Sequence, residues 1–253
     1  SNIILSTFTN TDMRSLKQEN PYKWFQLYWQ GEREKSLNLV KMAEEHQYKA
    51  IVITVDSPHT GIRDRERKAF FHLPENMQHP HTPSHIPLPE LKQGDHPVFN
   101  GLMRIAPAWD DIAWMVQQTD LPIILKGVTH PQDALLAIQH GVKGLIISNH
   151  GGRVLDTCIS PLLSLQMIKK VVHDDFPLIY DGGIRRGSDV FKALALGASA
   201  VCIGRPYIYG LATAGALGVA HVLKILKEEF EITMALMGTA TLKDINKECI
   251  FQK

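Results

Sequence analysis

Short apolar runs separated by amphipathic stretches set the rhythm of the chain. The runs at Ile3–Ser6, Trp24–Tyr28, Ala50–Val55, Pro122–Lys126, Gly144–Ser148, Leu178–Asp181 and Ala200–Ile203 are rich in Ile, Val and Leu. Most are continuous rather than alternating, as expected of parallel strands covered on both faces. The intervening stretches carry helical periodicity. In "EREKSLNLVKMAEEHQ", Leu37, Val40, Lys41 and Glu44 fall at helical spacing, and Leu37, Val40 and Ala43 share an apolar side. "HPQDALLAIQHG" places Pro131 at a helix start and Gly141 past its end. "RGSDVFKALALGA" offers Ser188 as N-cap and Gly197 as the stop. "LGVAHVLKILKEEFEITMALMG" is a long amphipathic segment near the C-terminus.

Strand and helix therefore alternate, which predicts an α/β chain with a parallel sheet, a TIM (β/α)8 barrel, formed by residues 1–253 as a single domain. The strand count is one short of eight. A barrel with a missing stave exposes unpaired backbone groups. The first strand and an N-terminal segment are therefore expected outside this chain, unless another chain or segment supplies them. One stretch breaks the rhythm. Residues 73–98, "LPENMQHPHTPSHIPLPELKQGDHPV", are dense in Pro and His and have no period, which predicts a mobile loop or lid. The spacing of His79, His81, His85 and His96 is irregular, which argues against a metal site.

Composition narrows the possibilities. Lys and Arg total 27 against 26 Asp and Glu, so no global field favours nucleic acid or an anionic membrane. The basic run "GIRDRERKAF" alternates in sign and reads as a solvated face. Cys158, Cys202 and Cys249 are odd in number and scattered, which fits a reducing, cytoplasmic compartment rather than a disulfide framework. No apolar run approaches the roughly 20 residues of a membrane helix, so no membrane segment is expected.

The candidate chemistry lies where the strands end, the active face of such barrels. The ends carry Ser6, then Gln26 and Tyr28, then Thr54 and Asp56, then Lys126. The later ends carry His150 and Arg153, then Asp181, Gly182, Gly183 and Arg185, then Gly204 and Arg205. Glycine amides, arginines and helix starts after the last two strands suit a phosphate. An arginine fork beside a neutral imidazole suits a small carboxylate substrate and a proton transfer.

The segments "WFQLYW", "AIVITVDSP", "LPIILKGV", "SNHGGRVLD", "YDGGIRRGSDVFKALALGASAVCIGRP" and "MALMGTATLKDI" together resemble the FMN-dependent α-hydroxy acid oxidase and dehydrogenase family. The resemblance implies oxidation of an (S)-2-hydroxy acid, lactate- or glycolate-like, to the 2-keto acid, with FMN as cofactor. It implies His150 as base, Asp56 as its orienting carboxylate, Arg153 as carboxylate clamp, and Tyr28 and Arg63 as further substrate contacts. Lys126 takes the place of the cation beside flavin N1 and O2. FMN contacts are implied for Ser6, Gln26, Thr54, Lys126, Ser148, Asp181, Gly182, Gly183, Arg185, Gly204 and Arg205. Whether His150 removes the Cα or the hydroxyl proton stays open. O2, giving H2O2, is the favoured acceptor. A quinone or cytochrome acceptor, or a binding-only fragment dependent on its missing N-terminal part, are the alternatives. The resemblance further implies a homo-oligomer, a tetramer. The chain departs from the family in lacking the upstream strand and tyrosine, and in carrying Val154 where Gln is usual.

Overall fold

The computed structural model describes residues 2–16, 22–58, 61–70, 72, 74, 77, 79–82, 86 and 88–251. These cluster into two compact units. The first comprises residues 1–127, 136–143 and 153–156, and the second residues 128–135, 144–152 and 157–253.

The first unit is built on β1 (Ile3–Ser6), β2 (Lys23–Leu27), β3 (Ile51–Thr54) and β4 (Ile123–Lys126). All pairings are parallel, with Ser6 beside Gln26, Leu27 beside Ile53, and Thr54 beside Lys126. Helix α1 (Arg33–Glu45), the short α2 (Asp64–Lys68) and α3 (Trp109–Gln117) belong to this unit. Phe25, Leu27, Ile51, Ile53, Ile123 and Leu125 are fully buried, which is why these strands read as unbroken apolar runs. On α1 the buried side is Ser36, Leu39, Val40 and Ala43. Leu37, expected on that side, is half-buried, and Leu39 takes its place. The helix phase is therefore rotated from the expected one.

Helix α4 (Pro131–Gln139) starts at Pro131 as expected, and Gly141 follows it at φ +83°. The second unit is built on β5 (Gly144–Ile147), β6 (Leu178–Asp181) and β7 (Ala200–Cys202), again parallel. It also holds α5 (Pro161–Lys169), α6 (Gly187–Ala195) and α7 (Arg205–Leu236). Seven strands are thus present among the described residues, as the apolar runs predict.

The structure corrects four further expectations. Tyr28, Val55, Ser148 and Ile203 lie just past their strands. Ser188 is not the cap of α6. Arg186 is the N-cap residue, and the Asp189 carboxylate accepts from the Arg185 and Arg186 amides at 3.0 and 2.9 Å. A carboxylate three residues into the helix thus does the capping. In the Pro/His-rich stretch His79 and His81 meet Phe8, Thr9 and Met13, in the segment after β1; Leu73, Glu75, Asn76, Gln78, Pro83, Ser84, His85 and Pro87 lie outside the described residues.

The fourth correction concerns α7, which by length and composition is long and apolar enough to cross a membrane. It is not one straight rod. Ala214 and Gly215 leave helical geometry, and Gly215 sits at φ +58°. A Cβ on Gly210 would stand 2.6 Å from the Gly218 carbonyl oxygen. In a continuous helix those two residues would be about 12 Å apart along the axis. The chain therefore folds back on itself here, and glycines at both positions permit the close approach.

Candidate active site

In the first unit, side chains carry the strand-end chemistry. Ser6 Oγ donates to Gln26 Oε1 at 3.1 Å, and Gln26 Nε2 donates to Thr54 Oγ1 at 2.9 Å. Ser6 and Gln26 are lateral neighbours on β1 and β2, whereas Gln26 lies beside Val52 on β3, so its side chain reaches two residues along the sheet edge to Thr54. Gln26 and Thr54 are buried, which makes this a fixed polar edge at the end of an otherwise apolar sheet. Thr7, fully buried, ties the row to the next residue out: its hydroxyl donates to the Gln26 carbonyl at 2.6 Å and accepts from the Tyr28 amide at 2.9 Å.

Tyr28 is stacked on Phe8, with ring centroids 4.9 Å apart. Burial and the Asp56 carboxylate push its phenol above the usual value, while Arg63 and Arg153 pull it down. The four side chains are therefore electrostatic neighbours. Asp56 is held over the end of β4 because residue 127 is a glycine at φ +105°; a Cβ there would stand 2.5 Å from Asp56 Cβ. Lys126 is the last residue of β4, half-buried and in register with Thr54.

In the second unit, the backbone carries most of the geometry. His150, Gly151 and Gly152 all have left-handed φ values of 57°, 66° and 72°. Glycine takes such angles freely, whereas for His150 they cost energy and persist only where the surroundings enforce them. The enforcing contacts are present. The His150 amide donates to Ser148 Oγ at 3.0 Å, and Ser148 Oγ donates to Asp181 Oδ2 at 2.6 Å. Arg205 Nη2 donates to the Gly151 carbonyl at 2.8 Å. Ser148, Asp181 and Arg205, expected as cofactor contacts, thus also brace the turn that carries His150.

The remaining anion-binding candidates differ in availability. Gly182 and Gly183 have φ of +120° and +76°. Arg185 is exposed and its Nη1 donates to the Ile184 carbonyl. At the start of α6 the Gly187 amide already donates to Glu229 Oε2 at 2.9 Å, and the Arg185 and Arg186 amides to Asp189. At the start of α7, by contrast, Gly204 is the N-cap residue with no side-chain cap, and the space where a Cβ would sit is open. A helix start of this kind fits a phosphate.

Sequence reasoning missed several residues here. Glu66 accepts from Arg63 Nη1 at 3.1 Å and from Arg153 Nη2 at 2.6 Å. Its position three residues after Arg63 was a signal, masked by the alternating charges around it. Phe8 gave no local signal, since its partner Tyr28 is 20 residues away.

The match to known families spans residues 1–252, to the family described as FMN-dependent dehydrogenase. The chain belongs to this family. It is 42% identical over 254 residues to an L-lactate oxidase of Roseobacter sp., covering 98% of this chain and 68% of that protein. It is 45% identical to a 2-hydroxyacid oxidase of Dictyostelium discoideum, covering 98% of this chain and 64% of that one. A crystal structure of a mandelate oxidase variant superposes with a TM-score of 0.84 at 34% identity, covering 96% of this chain and 68% of the other. The chain thus spans about two thirds of the relatives it matches, and its seven parallel strands among the described residues form part of a TIM barrel. FMN is the family's cofactor, and one solved mandelate oxidase variant carries a C4a-OH-FMN adduct. The residues present fit it. The buried Ser6–Gln26–Thr54 row offers a fixed hydrogen-bonding edge for a heterocycle, and the uncapped α7 start offers amides for a phosphate.

Proposed function

We propose that the protein oxidises a small (S)-2-hydroxy acid, lactate- or glycolate-like, to the 2-keto acid and passes the electrons to O2. The observation that carries this reading is the neighbourhood of Tyr28, Asp56, Arg63 and Arg153. Two guanidiniums beside one phenol and one carboxylate suit a substrate that has both an anionic carboxylate and a hydroxyl. The oxidase relatives support the reaction class.

In this reading Arg63 and Arg153 bind the substrate carboxylate, and Tyr28 orients the hydroxyl-bearing carbon. His150 accepts a proton at its ring nitrogen, and Asp56 stabilises the imidazolium that forms. Ser6, Gln26, Thr54, Lys126 and Ser148 hold the heterocycle of the cofactor. Asp181, Gly182, Gly183, Arg185, Gly204 and Arg205 hold its phosphate-bearing tail. When bound, FMN supplies the two-electron carrier between substrate and oxygen. The substrate loses two electrons and two protons, and O2 gains both pairs to give H2O2.

Anaerobic mixing of the purified FMN-loaded protein with L-lactate or glycolate tests this. Loss of the flavin's visible absorbance, recovered on admitting air with stoichiometric H2O2, is expected. A flavin that stays oxidised with every small 2-hydroxy acid would overturn the proposal.

A further inference from the structure

Helix α2 has no buried residue and no side-chain cap at its start. Five residues cannot sustain a helix in water unaided, and three of these five are cationic and repel one another. Among the described residues its hydrogen-bonded tertiary anchor is one carboxylate. Glu66 spends one oxygen on each of two arginines, Oε2 on Arg63 Nη1 and Oε1 on Arg153 Nη2. The approach is set by backbone packing nearby: a Cβ on Gly61 would stand 2.1 Å from the Val154 carbonyl oxygen. That contact brings the start of the α2 segment against the residue next to Arg153. Each fork gives Glu66 a single nitrogen, and the Arg63 Nε–H is buried with no hydrogen-bond partner among the described residues.

We propose that Glu66 is a positioning residue, whose carboxylate bridges Arg63 and Arg153 so that their remaining N–H groups converge on the carboxylate of the 2-hydroxy acid. The inference rests on the substrate-binding role given to the two arginines above. Glu66 acts through them. Without it, the two like charges repel and Arg153, whose side chain is 49% exposed, is free to sample other rotamers. The seat then has to be assembled at the moment of binding rather than beforehand.

The test compares the FMN-loaded parent with Glu66→Gln and Glu66→Asp. Calorimetric titration with pyruvate reads the seat without turnover, and anaerobic rapid mixing with L-lactate reads half-saturation and limiting reduction rate separately. Glu66→Gln is expected to weaken pyruvate binding and raise half-saturation by about ten- to hundredfold, with a limiting rate within about threefold of the parent. Glu66→Asp should fall between the two. Lactate methyl ester, which has no anionic carboxylate, should not distinguish parent from Glu66→Gln. Unchanged or tighter pyruvate binding in Glu66→Gln would overturn the assignment, as would an equal loss for acid and ester. A parent that binds pyruvate in a Glu66-dependent way yet is bleached by no 2-hydroxy acid would sink the proposed function and leave the role of Glu66 standing.

Discussion

The two units solve the problem of placing polar groups at strand ends in different ways. In the first, side chains do it: Ser6, Gln26 and Thr54 form a hydrogen-bonded row across three strands, and Tyr28, Asp56, Arg63 and Arg153 form a charged cluster. In the second, backbone conformation does it: left-handed residues at His150, Gly151, Gly152, Gly182 and Gly183, and an uncapped helix start at Gly204. The difference has a chemical reason. Side chains discriminate, because their forks and hydroxyls have direction. Backbone amides at glycines and helix starts accept any suitably placed anion. The charged cluster of the first unit is thus the place to look for substrate selectivity, and the glycine and helix-start amides of the second for retention of the cofactor's phosphate.

Substitutions in each unit should separate these effects. Arg153→Lys keeps the charge and loses the fork. It should weaken the 2-hydroxy acid by about ten- to hundredfold while leaving FMN affinity unchanged, read by anaerobic reduction kinetics alongside flavin release. Gly182→Ala should do the reverse. At φ +120°, with Pro161 Cγ 3.2 Å from the new Cβ, the substitution strains the backbone. The cost is about 1–3 kcal/mol. FMN affinity should fall by about tenfold, measured by fluorescence on flavin release, with half-saturation by substrate unchanged. A variant of either kind that damaged both readouts equally would erase the division.

The smallest effect concerns the Pro/His-rich stretch. His81 Nε2 accepts from the Met13 amide at 2.8 Å, and the His81 side chain is 3% exposed. His79 meets Thr9 and Phe8 in the same region. The bond to Met13 requires the neutral imidazole. Burial holds His81 below its ordinary value, with Asp12 pulling upward and Arg14 downward. A depressed folded value means the stabilisation is present above the unfolded value of about 6.5 and is lost as pH falls through the folded one. Proteolysis around residues 72–82 should therefore speed up by a few-fold as pH falls below about 6.5, and His81→Ala should remove that pH dependence.

Magnitudes also bear on how the Glu66 bridge works. Charge alone would make Glu66 a rival of the substrate for the two arginines. A pair of unit charges at 4 Å is worth about 1 kcal/mol in bulk water and about 4 kcal/mol near a protein surface. Arg153 and Glu66 are 49% and 44% exposed and Arg63 25%. Ordering a free arginine costs up to about 2 kcal/mol per side chain. The two effects are of similar size and opposite sign, so pyruvate binding by Glu66→Gln decides which wins.

Much of this was legible in the sequence because barrel strands run parallel in chain order. Once the apolar runs are found, the residues at their ends are known, and register sets Ser6 beside Gln26 and Thr54 beside Lys126, with the Gln26 side chain joining the two pairs. What escaped was non-local. The bond between His81 and Met13 spans 68 residues and that between Glu66 and Arg153 spans 87, with no local pattern marking either. The cap of α6 escaped for a different reason: Ser188 and Asp189 are both good cap residues, and only the backbone decides between them. The fold-back within α7 was also hidden: the amphipathic pattern read from the sequence begins at Leu217, just after the break at Ala214 and Gly215, and did not reach the helical residues before it.

The central claim is that the strained His150 turn presents the base of a flavin-dependent 2-hydroxy acid oxidation. Rapid anaerobic mixing of L-lactate with the FMN-loaded parent and with His150→Gln tests it most directly. The account predicts that the parent flavin is reduced and that the variant, with FMN still bound, is slower by about a thousandfold or more, the upper range for loss of a general base. Flavin reduction in His150→Gln at the parental rate would contradict it.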